Sequence, residues 1–342
     1  MKAKFILSKQ RVKKQIEQCN TLSNEVSYSF KTNYEVGKIL EETTNCWFSV
    51  HSLESVKDIK NKEKIWFFAQ GWDNKEIIEL LEEGVTSFVV DNSQDLEILL
   101  DHIKTTEKDI NVLLRMRLKE QTVQTGKHFV FGFYSKKINE LIPLLKKNKR
   151  IGKLGIHFHR KTQNVTEWSL KEELEDSLDA TTLDKMDVIN IGGGIPSFYK
   201  NYQVKNQEAI FSEIIKVKEW LNKKDIKMIL EPGRFIAAPA IKLVTEIKNI
   251  YEKNIIVNAS VYNSAMDTFV ANLRLLVEDE TTEGEGYTIK GITPDSLDIY
   301  RYKVYFKKKP KVGDQITFLN AGAYNFRTDF CKLPKIQTEV IE

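Results

Sequence analysis

The feature that most restricts the fold of this chain is an alternation that runs through its first 240 residues. Eight short apolar runs rich in β-branched residues are separated by longer segments of helical period. The runs that read as strands are Val26–Phe30, Trp47–Ser52, Lys64–Ala69, Thr86–Asp91, Asn111–Leu118, Lys153–His159, Asp187–Ile191 and Lys227–Leu230. Helical patterns lie between them over Tyr34–Thr44, Asn74–Glu83, Ser93–Ile103, Lys137–Lys147, Trp168–Leu183 and Gln207–Lys224, with a further short helix expected at Ser55–Lys60. The second of these shows its apolar stripe well, with Asp73 or Asn74 as the cap and Gly84 at the end. Strand alternating with helix implies a parallel sheet with crossover helices. Eight such strands are what a closed (β/α)8 barrel requires, and ~250 residues is its usual length. An open doubly wound sheet would place its glycine-rich loop after the first strand. Here Gly192-Gly193-Gly194 follows the seventh. The expected fold class is therefore α/β, a TIM-type barrel.

Beyond residue 240 the texture changes to strand with little helix: Ile241–Ile250, Ile255–Val261, Leu273–Val277, Tyr300–Phe306 and Gln315–Leu319. Residues 300–305 alternate at period two. Two domains are expected, a barrel over residues 1–240 and a smaller β-sandwich or barrel-like domain over 241–342. Composition limits the function. Lys and Arg number 52 against 48 Asp and Glu, a net charge of +4, so no strongly basic footprint for nucleic acid exists. The tracts Lys146–Arg150 and Lys307–Lys309 read as solvated loop or helix ends. Cys19, Cys46 and Cys331 are odd in number and widely spaced, giving neither a disulfide framework nor a zinc site. The apolar stretch Phe5-Ile6-Leu7 is too short for a signal peptide, and no stretch approaches the ~18 apolar residues of a membrane span. A cytoplasmic protein without nucleic-acid or membrane partners is expected.

Reactive groups of such a barrel belong at the carboxyl ends of its strands, and four strands end in unusual residues. Lys31 closes the first. Held partly desolvated, it suits Schiff-base chemistry, although a lysine at a strand end also simply snorkels. His157 and His159 close the sixth and, two apart, face one side. That spacing serves a metal site, but no further ligand pair accompanies it, so no metal is expected and ring stacking is the alternative. Gly192–Gly194 lets backbone N–H groups approach an anion, as a plain turn would also do without one. Glu231-Pro232-Gly233-Arg234 closes the eighth, adding a carboxylate and a guanidinium fork next to the loops where barrels of this kind bind phosphate. Alone, Glu231 is as readily a solvent-facing carboxylate. Together the four segments describe a pyridoxal-phosphate site, in which the cofactor supplies the electron sink and the protein its orientation.

These segments, in this order, resemble the pyridoxal-phosphate-dependent barrel decarboxylases (fold type III) that act on ornithine, diaminopimelate, arginine and related amino acids. The resemblance runs from about Phe5 to the C-terminus. Tyr28-Ser29-Phe30-Lys31-Thr32-Asn33 resembles the Schiff-base lysine motif, and Gly155–His159 the stacking-histidine strand with His159 against the ring. Ile191–Gly194 resembles the phosphate loop, with Gly193 and Gly194 at the phosphate. Glu231 would meet the pyridine nitrogen, and Gly233, Arg234, Thr162 and Tyr324 (in Gly322-Ala323-Tyr324) would complete the cofactor contacts, with Arg115 beside them. The resemblance further implies a homodimer with shared active sites. Each site there borrows a segment of the partner's β domain, here Ile292–Asp298. Asp295 in it matches an acid that meets the substrate's distal amine.

The substrate half departs from the family pattern. Pro294 stands where most members have the cysteine that returns a proton to the product. Ala259 replaces an acid, Ser49 and Ser55 occupy acidic positions after the second strand, and Lys161 and Thr162 replace glycine and serine. The resemblance implies decarboxylation of an amino acid or amino-acid conjugate, with Lys31, His159, Glu231 and Asp295 as the reacting set and pyridoxal 5′-phosphate as cofactor. The alternatives are an amino-acid racemase, with Tyr262 or Asp267 as second base, and a non-catalytic homologue that regulates a true decarboxylase.

Overall fold

The structure, a computed structural model, describes residues 1–104, 108–118 and 131–342. Strands β2 (Glu25–Ser29), β3 (Trp47–Val50), β4 (Ile65–Phe67), β5 (Ser87–Val90), β6 (Ile110–Arg115), β7 (Ile151–His157), β8 (Val188–Asn190) and β9 (Lys227–Leu230) pair in sequence order as a closed, all-parallel barrel. Closure is made by β9 on β2, with Glu25 opposite Ile229 and Val26 opposite Leu230. The eight-stranded barrel expected from the alternation is what the chain forms.

Period two sorts the strand residues between the barrel interior and the helical ring. Trp66, Val89, Leu113, Val188 and Ile229 form one small buried cluster, separate from the large core that includes Phe67, Phe88, Val90, Val112 and Leu114. Counting by twos along the registers places Ser27, Ser49, His157 and Asn190 on the same inward face, toward the carboxyl ends. Gly155 is required there, since a Cβ on it would stand 1.7 Å from the Val188 carbonyl oxygen.

The second sheet holds β10 (Ile241–Tyr251), β11 (Asn254–Val257), β12 (Leu276–Val277), β13 (Thr281–Lys290), β14 (Ile299–Tyr305), β15 (Gln315–Leu319) and β16 (Gln337–Ile341). It also takes in the N-terminal strand β1 (Lys4–Ser8), antiparallel to β10 and parallel to β16. A division at residue 240 therefore leaves out β1, which precedes the barrel in sequence yet belongs to the second sheet. The helix Lys9–Leu22 after it, capped by Ser8 and burying Val12, Ile16, Cys19 and Leu22, was also not anticipated. Two further differences have local causes. The pattern Trp168–Leu183 divides into helices Leu170–Ser177 and Ala180–Leu183, because Leu178 and Asp179 take extended backbone. And β7 ends at His157, so His159 sits in the following loop rather than on the strand. No helix among the described residues is long and apolar enough to cross a membrane.

Candidate active site

A cavity of about 480 Å3 opens at the carboxyl ends of the barrel strands. Lys31, Arg115, His159, Thr162, Gly193, Gly194, Glu231, Gly233, Arg234 and Tyr324 all line it. Asp295 does not. It lies on the β domain, where it accepts hydrogen bonds from the Tyr262 hydroxyl at 3.0 Å and the Leu297 amide at 2.8 Å. Of the segment around it, Pro294 and Leu297 are exposed, while buried Asp298 fastens the loop through Val261 and Thr293.

Glu231, 5% exposed, is the electrostatic centre of the cavity. Burial by itself would raise its pKa, but His157 (by charge and hydrogen bond) and the Ser49 hydroxyl outweigh that and hold it at about 2. Oε2 faces His157 Nε2 at 3.0 Å, while Oε1 accepts from Ser49 Oγ at 2.5 Å and Asn190 Nδ2 at 3.0 Å. Asn190 also accepts the Gly192 amide at 2.9 Å, so one side chain ties the carboxylate to the glycine loop. Lys31 stands accessible at the cavity wall. Partial desolvation lowers its pKa, Glu231 opposes this and Arg115 adds to it.

His159, an exposed residue, presents its ring to the open cavity. Desolvation by the surrounding walls lowers its pKa against the pull of Glu231. Its Nδ1 accepts the Gly193 amide at 3.2 Å, which puts the proton of the neutral ring on Nε2. The glycine loop is held tightly. A Cβ on Gly193 would lie 2.5 Å from the Glu231 carbonyl oxygen, and Gly194 has φ +98°, a region L side chains rarely enter. Arg234 is less free than the bare motif suggests. Its Nη1 is engaged by the Asp267 carboxylate and by the Tyr199 hydroxyl at 3.0 Å, its Nε donates to Thr162 Oγ1 at 3.3 Å, and its guanidinium lies over the rings of Tyr199 and Tyr324. Arg115 pairs with Asp91 at 3.2 Å and stacks on Phe131.

Sequence reasoning missed His51 and Ser27, and it named Ser49 only as a departure from an acidic position, not as a partner of Glu231. His51 Nδ1 donates to the Phe68 carbonyl at 3.0 Å, leaving Nε2 buried without a partner among the described residues, as His157 Nδ1 is too. The signal for the serines was small hydroxyls at inward positions of otherwise apolar strands. Tyr262 stacks on Phe269, and Asp267 is committed to Arg234. No group of metal-ligating side chains fit to hold an ion occurs among the described residues.

The donor set fits pyridoxal phosphate. A partly desolvated amine, a neutral imidazole face, an ionised buried carboxylate and a glycine loop closed to any Cβ share one cavity of suitable size.

Comparison with known proteins agrees. The family model for the pyridoxal-binding domain of pyridoxal-dependent decarboxylases matches residues 9–238. A diaminopimelate decarboxylase of Aquifex aeolicus is 22% identical over 281 residues, 77% of this chain. The chain spans just under two thirds, 66%, of that relative's own length. Among solved structures, a diaminopimelate decarboxylase from M. jannaschi superposes with TM-score 0.84 at 20% identity, covering 99% of this chain and 86% of that one. A lysine/ornithine decarboxylase of Vibrio vulnificus, solved with cadaverine, gives 0.79 at 22% identity, covering 99% and 94%.

Proposed function

We propose, from the premise that this chain belongs to the pyridoxal-dependent decarboxylases, that it releases the α-carboxyl group of an amino acid or amino-acid conjugate as CO2, with pyridoxal 5′-phosphate as its cofactor. The observation that carries the reading is the meeting of Lys31, His159 and ionised Glu231 in one cavity with the glycine loop. When bound, the cofactor supplies an electron sink for the pair left behind by departing CO2. Everything else falls to the chain.

Lys31 Nζ would be the group that holds the cofactor covalently. Its lowered pKa leaves a larger fraction as free amine near neutrality, able to give up and regain a proton as substrate enters and product leaves. His159 would lie on the ring as a neutral imidazole, adding no positive charge that competes for electrons. Glu231 would hold the proton on the ring nitrogen. Gly193, Gly194, Gly233, Thr162, Arg234 and Tyr324 would hold the phosphate, with Arg115 beside them. Pro294 has no ionisable group, so the proton returned to the product must come from elsewhere in the assembled site.

The same reading has the protein act in the cytoplasm as a homodimer with shared active sites. Three free cysteines support the first part. Asp295 lies off its own chain's cavity, on an exposed turn where a partner's cavity can receive it, and this supports the second. In that position its carboxylate would meet a distal amine of the substrate, as carried by the diaminopimelate, lysine and ornithine of the matched relatives' names.

Protein saturated with pyridoxal phosphate should show a visible absorbance band that is lost in Lys31→Ala. Carbon dioxide should then be released from a member of a panel holding diaminopimelate, lysine, ornithine, arginine and their N-acyl conjugates, with recovered substrate unchanged in configuration. Absence of the band in the wild-type protein would sink the reading. Inversion of recovered substrate without CO2 would make the protein a racemase.

A further inference from the structure

Glu231 is held by more than its position at the end of β9. A carboxylate offers about four lone-pair directions, and three are taken from inside the barrel: Ser49 and Asn190 on Oε1, His157 on Oε2. The direction of the serine bonds follows from charge. An ionised carboxylate only accepts, so the single hydroxyl proton of Ser49 points at Glu231. The 2.8 Å contact between Ser49 Oγ and Ser27 Oγ must then be a bond donated by Ser27. Both serines are fully buried. A one-way chain therefore runs across three adjacent strands, from Ser27 on β2 through Ser49 on β3 to Glu231 at the end of β9.

We propose that Ser49, backed by Ser27, is a positioning residue that fixes the Glu231 carboxylate and leaves it one free lone-pair direction for the group bound in the cavity. The proposal rests on the reading of the cavity as a pyridoxal-phosphate site, where that direction would serve a protonated ring nitrogen.

The choice of serine has a physical reason. An acidic side chain at position 49, as the family pattern has it, would set a second carboxylate against Oε1. Two carboxylates at that spacing cannot both ionise, and one would keep a proton. Two hydroxyls give the same hydrogen-bond support with no added charge. The other charged and titratable groups facing Glu231 are His157 from β7, His159 from the loop after it, Lys31 from beyond β2 and His51 from beyond β3, with Arg115 of β6 at Lys31. None of them is a carboxylate, so Glu231 carries the negative charge of this group alone.

The test uses protein labelled with carbon-13 at its glutamate side-chain carboxyls and kept free of cofactor. The Glu231 resonance is assigned by its absence in Glu231→Gln. In wild type it should stay ionised from pH 7 to 3. Losing a hydrogen bond to a charged group shifts a pKa by about one to two units, so Ser49→Ala should bring the titration into that window. Ser27→Ala, which removes only the backing bond, should move it less and in the same direction, and Ser49→Thr, which restores a hydroxyl, should return it toward wild type. With cofactor bound, Ser49→Ala should lose about tenfold in kcat at little change in KM. An unchanged Glu231 titration in Ser49→Ala would overturn the proposal, because a serine that merely filled space would leave it so. If wild-type protein takes up no pyridoxal phosphate, the reading of the site fails instead, while the cofactor-free titration still decides the role of Ser49.

Discussion

A histidine kept neutral in the mouth of a barrel is a liability in acid. His51 donates Nδ1–H to the Phe68 carbonyl and rests edge-on against the Phe68 ring, with its other nitrogen buried and unpartnered. Burial first, and the neighbouring Lys31 second, lower its pKa to about 4, against the pull of the Phe68 bond and Glu231. Its folded pKa thus lies below the ~6.5 of an unfolded chain. The stability it contributes is fully present above that value and is lost as pH falls from about 6.5 toward 4. One proton taken up on unfolding gives a slope of at most about 1.4 kcal/mol per pH unit. His51→Phe keeps the ring packing and removes the proton site. Urea unfolding of cofactor-free protein at pH 7 and pH 4.5 should show the variant losing less stability between the two than wild type. Equal losses would mean that His51 takes up its proton in the fold at the same pH as in the unfolded chain. That burden was not legible in the sequence. His159 was found by its motif and His51 by nothing, because a histidine after an apolar strand looks the same whether it is solvated or enclosed.

At the scale of elements, local rules explain the helices and the barrel, and long-range pairing explains what they missed. Asn74–Glu82 was legible because its stripe, the Asp73 cap and Gly84 all agree within twelve residues. The barrel was legible because each strand–helix unit carries its own signal, repeated seven times before the eighth strand. Strand β1 carries none of that kind. Its five residues acquire a partner only when β10 and β16, more than 200 residues away, arrive beside them. The four glycine, lysine, histidine and glutamate segments of the site were readable for the opposite reason, since each is a contiguous run. The Ser27–Ser49–Glu231 chain is spread over three strands and emerges only on closure of the barrel. If β1 is a working part of the second sheet, its inward residues should matter accordingly. Leu7 is fully buried on it. Leu7→Ala should cost about 2–5 kcal/mol in urea unfolding, the range for a buried leucine that leaves a cavity. A loss below 1 kcal/mol would show that the N-terminal strand frays independently of the fold.

For the whole molecule, the question is how Asp295, on the β domain, could serve a cavity built at the mouth of the barrel. The cavity is built from the carboxyl ends of the barrel strands and Tyr324, while Asp295 sits on a turn of the β domain outside its lining, its carboxylate engaged by Tyr262. The proposed homodimer would bring it to the cavity of another copy, and in a two-fold dimer such an exchange is reciprocal. Lys31 and Asp295 would then serve different sites of the same pair. This makes a prediction that neither residue makes alone. Lys31→Ala and Asp295→Ala homodimers should each be nearly inactive toward the substrate identified in the panel. Mixed in equal amounts and allowed to re-associate, they should form mixed dimers in about half of all pairs, each with one site intact and one doubly damaged, so that about a quarter of wild-type activity returns. Steady-state CO2 release before and after mixing measures it, with sedimentation confirming that re-association has occurred. Recovery near a quarter requires Asp295 to act across the interface. Re-associated dimers that stay inactive would instead confine Asp295 to its own chain, and the substrate's distal amine would then have to be met by a residue of the barrel rim.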